Sequence, residues 1–110
     1  MTYDKLKEKL ENYNWDDGFE VPYQMLSNEN CDLALALEIF YLGDGYAYLI
    51  DRELQAGHQE EWLKFIGKLY GDIASGRYKK TEHPFQSPLS KVQRYQLGKM
   101  NIPEIFLTDL

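Results

Sequence analysis

Ten residues, LALALEIFYL at positions 33–42, limit what this chain can become more than any other stretch. They are apolar on nearly every side, with Glu38 the one acid among them. A run without a polar face belongs at the centre of a fold, with other elements packed around it. Leu33, Leu35 and Leu37 alternate, which leaves a buried strand open. The fillers are Ala and Glu and β-branched residues are scarce, which favours a central helix. Asp32 stands where an N-cap belongs. Gly43 and Gly45 interrupt or end the element, and Tyr46, Tyr48, Leu49 and Ile50 continue an apolar segment that reads as a second short helix.

The flanking segments carry helical spacing. Tyr3, Leu6, Leu10 and Tyr13 form one stripe, with Thr2 as a cap and an end expected near Asn14. Pro22 suits the first turn of a second helix with Val21, Met25 and Leu26 inward. Ser27-Asn28-Glu29-Asn30 is a polar break. In HQEEWLKFIGKLYGDIASG, from His58, residues Trp62, Phe65, Ile66, Leu69, Tyr70 and Ile73 make a clean inward face. Glu60 and Lys64 sit at i, i+4, and Gly76 can end the helix at C′. Residues 77–86 read as an exposed basic loop that includes an exposed His83. Ser87 then caps a last helix with Pro88 at its first position, Leu89, Val92 and Tyr95 inward and Gly98 at its end. The tail IPEIFLTDL is apolar enough to dock on the body. The expectation is one all-α domain over residues 1–110, a compact array of five or six short helices.

Charge divides the chain unequally. The net charge is −6, from 12 basic and 18 acidic residues. Residues 1–60 hold 13 acids and 4 bases, a balance of −9, while residues 61–110 hold 5 acids and 8 bases, a balance of +3. Between Leu10 and Asp51 there are nine acids and neither Lys nor Arg. Such a surface repels nucleic acid and speeds encounter with a basic partner. The single cysteine, Cys31, allows no disulfide within the chain and fits a reducing compartment. No apolar run reaches membrane-spanning length, and the charged N-terminus MTYDKLKEKLE lacks the apolar segment of a signal peptide. These features together predict a cytoplasmic protein.

The stretch NYNWDDGFEVP (12–22) invites an acidic or metal-binding reading. A calcium loop started at Asn12 puts Asp17 where the invariant Gly belongs and Tyr23 where the closing Glu belongs. Started at Asn14, it puts Gly18 at a ligand position, so the loop fails both ways. Cys31, His58 and His83 lie too far apart for zinc-ligand spacing. No metal or cofactor is therefore expected. A Cys–His pair needs the fold to assemble it, and Cys31 reads more simply as a small buried residue. Gly43-Asp44-Gly45 is a second Asp-Gly turn, and convergence of the two turns would make an acidic pocket; Asp before Gly is also ordinary turn chemistry. Among the nine tyrosines, Tyr23, Tyr46 and Tyr48 are the candidates for an exposed contact surface beside these acids.

YNWDDGFEVP (13–22) followed by CDLALALEIFYLGDGY (31–46) resembles a bacterial domain family of unknown function. Its hallmark is Y-N-W-D-D-G-F-E-x-P and then C-D-L-x-x-A-L-x-I-F-Y-x-x-D-G, with Gly43 here in place of an expected Ala. The family brings no reaction with it. By analogy, proteins of this sort look like small partners encoded near toxin systems, where many act as immunity proteins. That implies a protein-binding module which blocks the active site of a cognate toxin domain, possibly a basic, nuclease-like one, as a monomer or weak homodimer. The contact residues expected are Asp16, Asp17, Glu20, Asp44, Tyr46, Tyr48 and Asp51. Two alternatives stand beside it. One is an enzyme or metal-dependent site built from the two Asp-Gly turns. The other is a homo-oligomeric module in which Arg77, Lys79, Lys80, Lys91, Arg94 and Lys99 meet the acidic half of a neighbour.

Overall fold

A computed structural model describes residues 1–50 and 60–110. The described residues contain six α-helices, two short 3₁₀ turns and no strand. The helices are α1 (Tyr3–Glu11), α2 (Glu20–Leu26), α3 (Leu33–Leu42), α4 (Gly45–Ile50), α5 (Glu60–Ala74) and α6 (Lys91–Lys99). The 3₁₀ turns span Trp15–Asp17 and Glu104–Phe106. Residues 33–42 are thus helix, as their Ala and Glu fillers favour.

Helix α3 is the centre. Leu33 to Leu37, Ile39 and Phe40 are all buried. It packs against α4 and α5, and α4 packs against α5. The inward stripe of α5 is the expected one, with Trp62, Phe65, Ile66, Leu69 and Ile73 buried and Tyr70 half-buried. Leu6 and Leu10 of α1 and Met25 of α2 complete this side of the core. Each fully buried Leu, Ile or Phe contributes roughly 1.5–3 kcal/mol over an exposed one.

Local signals set most helix ends. The Thr2 side chain caps α1 and Asp32 caps α3. Helix α5 ends in a Schellman motif: the Arg77 N–H donates to Asp72 O at 3.0 Å and Gly76 N–H to Ile73 O at 3.2 Å, with Gly76 at φ 84°. Helix α6 ends the same way, its Ile102 N–H donating to Leu97 O and its C′ residue being Asn101 at φ 61°. Asn is the commonest substitute for Gly in that conformation.

Three expectations are corrected. Residues 77–86 are no free loop: Tyr78 and Phe85 are buried, and His83 is half-buried and hydrogen-bonded. The last helix starts later than expected, with Ser90, not Ser87, as its cap in a full capping box with Gln93. Its inner residue is Leu97, while Val92 and Tyr95 are 64% and 65% exposed. Apolar spacing does not describe that face, because α6 is held through Leu97 and through a polar contact with the tail. Arg94 reaches Asp109 at 3.2 Å, and Asp109 also accepts from the buried Ser87 N–H at 2.7 Å. The tail docks as expected, with Ile102 and Phe106 buried and Phe85 and Leu110 exchanging backbone hydrogen bonds.

Gly45 marks the tightest joint. A Cβ there would sit 2.4 Å from the Phe40 ring and 2.5 Å from the Phe40 carbonyl oxygen. Gly71, on α5, has open space around it. Gly45→Ala is expected to destabilise the fold by about 1–3 kcal/mol through overpacking. Gly71→Ala is expected to stabilise it by up to about 1 kcal/mol through helix propensity. Urea denaturation midpoints of the two variants check both signs.

Candidate functional site

The NYNWDDGFEVP stretch is the joint between α1 and α2. Asn14 Oδ1 accepts from the Asp16 N–H at 3.0 Å and opens the 3₁₀ turn. Gly18 turns the chain at φ 94°, where a side chain would be strained. Tyr13 Oη donates to the Gly18 carbonyl at 2.6 Å and locks that turn. The joint then closes on one ring from α5, the fully buried Phe65. Phe19 stacks on it at 4.9 Å, Tyr23 meets it edge-on at 5.0 Å, and Trp15 meets it at 6.3 Å. Contacts of this geometry each contribute about 0.5–1.5 kcal/mol beyond burial.

The two Asp-Gly turns do approach one another, through Trp15 and the Gly43 backbone and not through their carboxylates. A Cβ on Gly43 would lie 3.3 Å from the Trp15 ring, and the Gly43 carbonyl accepts from Trp62 Nε1 at 2.8 Å. Asp16, Asp17 and Asp44 are exposed, and their side chains make no ion pair or hydrogen bond among the described residues. No group of three or more His, Cys, Asp or Glu among the described residues is placed to hold a metal.

Beside the joint runs a groove of about 560 Å³. Phe19 and Tyr23 form its apolar floor, and Asp17, Glu20 and Glu61 stand around it with Lys64. Tyr23 is 39% exposed. Of the expected contact residues, the structure therefore brings Asp17 and Glu20 together here. Asp16 and Asp44 are exposed but do not line the groove. Tyr46 and Tyr48 are half-buried against the core, with Tyr48 packed on Trp62 and Tyr70. Asp51 and His58 lie outside the described residues. The expected set missed Glu61, which α5 delivers from far along the chain, and Phe19.

A second polar cluster lies at the start of α3, in a cleft of about 450 Å³. Asp32 is 5% exposed. Its Oδ1 accepts from the Leu35 N–H at 2.9 Å as the helix cap. Its Oδ2 accepts from Thr81 Oγ1 and lies against His83 Nδ1, each at 2.6 Å. The His83 ring stacks flat on Tyr3 at 3.5 Å. The Leu33 N–H, another unsatisfied group at the helix start, donates to the Lys79 carbonyl at 2.8 Å. Burial by itself would push the Asp32 carboxyl up. The hydrogen bonds from Thr81, Leu35 and His83 outweigh it and hold the group below the usual carboxylate value. Cys31 lies beside this cluster, where burial first and then Asp32 push its thiol up to about 12, which favours the protonated form at neutral pH. The arrangement ties the 77–86 segment to the end of the central helix.

The chain matches the model of a domain of unknown function, DUF4274, over residues 2–74. It belongs to that family. The match runs from α1 to the last residue of α5, so it contains the whole acidic groove and Asp32. Thr81, His83 and α6 follow it. No curated protein and no solved structure matches the chain. No helix among the described residues is long and apolar enough to cross a membrane.

Asp32→Asn keeps an oxygen to cap Leu35 but replaces an acceptor of two bonds by an amide. A loss of about 2 kcal/mol is expected at pH 7. Because the folded-state value of Asp32 is lowered, its stabilisation is present above the unfolded value near 4 and is lost as pH falls through the folded value. The gap between the wild type and Asp32→Asn is therefore expected to shrink below about pH 4, which denaturant titrations at a series of pH values will measure. Cys31 is expected to resist iodoacetamide at pH 8 in the folded chain and to react once urea unfolds it, with mass spectrometry as the readout.

Proposed function

We propose that this chain is a protein-binding module, and specifically an immunity protein that occupies the basic active site of a toxin domain made by the same bacterium. What supports this reading is the segment between Leu10 and Asp51. It has neither Lys nor Arg in its sequence, and its Glu11, Asp16, Asp17, Glu20, Glu29 and Asp44 all face solvent. Carboxylates held on a rigid scaffold steer a basic partner and fix its orientation. Aromatic rings beside them supply the packed anchor that charge alone does not. The groove at the α1–α2 joint joins the two properties in one place. In this reading the protein acts in the cytoplasm as a monomer or weak homodimer, by contact and not by chemistry of its own.

Co-expression with the product of the neighbouring gene tests the proposal. Rescue of toxicity, and a complex at sub-micromolar concentration whose association slows as salt rises, are the expected results. Charge reversal by Asp17→Lys with Glu20→Lys is expected to slow association about tenfold or more while leaving the circular dichroism spectrum unchanged. A lack of any complex at micromolar concentrations, together with no rescue, would overturn the reading.

A further inference from the structure

The groove at the α1–α2 joint is built more narrowly than a general acidic face. Its floor is apolar and aromatic, from Phe19 and the exposed part of Tyr23. Both rings are held from beneath by Phe65, and the turn that presents Phe19 is pinned by the Tyr13–Gly18 hydrogen bond. Neither ring can fold away from a ligand without breaking contacts in the core. Around that floor stand Asp17, Glu20 and Glu61, none of which has an ion-pair partner among the described residues. Lys64, the cation at the groove, is already paired with Glu60 at 3.3 Å. The groove thus combines two fixed aromatic rings, Phe19 stacked on Phe65 and Tyr23 set edge-on to it, with three carboxylates that have no ion-pair partner among the described residues.

We infer that this groove is a recognition pocket for an arginine side chain of a protein partner. The guanidinium plane would stack on the exposed face of one of these rings, and its edge N–H groups would fork to the carboxylates. Arginine fits better than lysine on physical grounds. Its planar cation stacks on aromatic faces, is weakly hydrated, and presents paired donors that match carboxylates. Lysine brings a compact, strongly hydrated charge with no plane to stack on either ring. An uncharged ligand would leave the carboxylates unneutralised. The inference rests on the reading of this chain as a binder of basic partners, and it names the group that such a partner inserts.

The test uses the full chain and a blocked peptide, acetyl-Gly-Arg-Gly-amide, against its citrulline and lysine counterparts. Citrulline keeps the shape and removes the charge. Amide chemical shifts in ¹H–¹⁵N spectra report the site. The expected result is weak, saturable binding of the arginine peptide, with shifts confined to residues 17–24 and the first turn of α5. Binding is expected to be at least about fivefold tighter for arginine than for citrulline, and tighter than for lysine. The triple variant Asp17→Asn, Glu20→Gln, Glu61→Gln is expected to abolish that preference, and Tyr23→Ala to weaken arginine binding several-fold. Equal shifts for arginine and citrulline, or shifts spread over the whole acidic surface, would overturn the inference. A neighbouring toxin that binds while the arginine peptide fails leaves the proposed function standing and removes the pocket. Arginine binding without any toxin complex does the reverse.

Discussion

Helix α3 is apolar on nearly every side, and much of the rest of the structure follows from covering it. Its start is buried, with Asp32 and Leu33 both enclosed, so the polar groups there cannot be left to solvent. An unpaired N–H or carboxylate in such a place costs on the order of 1–3 kcal/mol. Asp32 meets this need by using both oxygens, one for the Leu35 N–H and one for Thr81 and His83. The Lys79 carbonyl takes the Leu33 N–H. The segment that follows α5 is thereby pulled onto the body, and its Tyr78 and Phe85 become core residues. One capping carboxylate thus organises a stretch nearly fifty residues further along the chain.

Another part of the core is closed by aromatic packing. Phe65 of α5 receives Trp15, Phe19 and Tyr23 from the joint between the first two helices. This arrangement leaves the backbone of the joint little freedom, and it leaves the neighbouring aspartates nothing to do inside the fold. Asp17 and Glu20 stay exposed beside rings that are fixed. That is a physically sound way to prepare a binding surface. The aromatic part is already ordered, so little conformational entropy is lost on contact, and the charges are available for steering. The family match contains all of this groove, while the His83 tie follows it.

Much of the architecture could be read from residue order. The apolar run 33–42, the α5 stripe and the caps at Thr2 and Asp32 depend on neighbours three or four positions away, and those neighbours are visible in sequence. The acid-rich, base-free stretch between Leu10 and Asp51 is likewise a property of the sequence alone. Segment 77–86 was misread because its lysines are exposed while Tyr78, His83 and Phe85 find partners from other elements. The face of α6 departs from its apolar spacing because its contacts with the body run through Leu97 and through the Arg94–Asp109 pair, which no local period shows.

The sequence by itself determined that the chain is helical, which helix is central, and that its first half is acidic, because spacing and charge are local properties of the chain. Only the tertiary structure decided which acids stand together. Asp17 and Glu20 meet Glu61 beside Phe19 and Tyr23, while Asp44 and Asp16 stay apart from that groove. It also decided that His83 belongs to Asp32. Both outcomes depend on contacts between residues about forty to fifty positions apart. Their geometry is set by how helices pack, which no local pattern encodes.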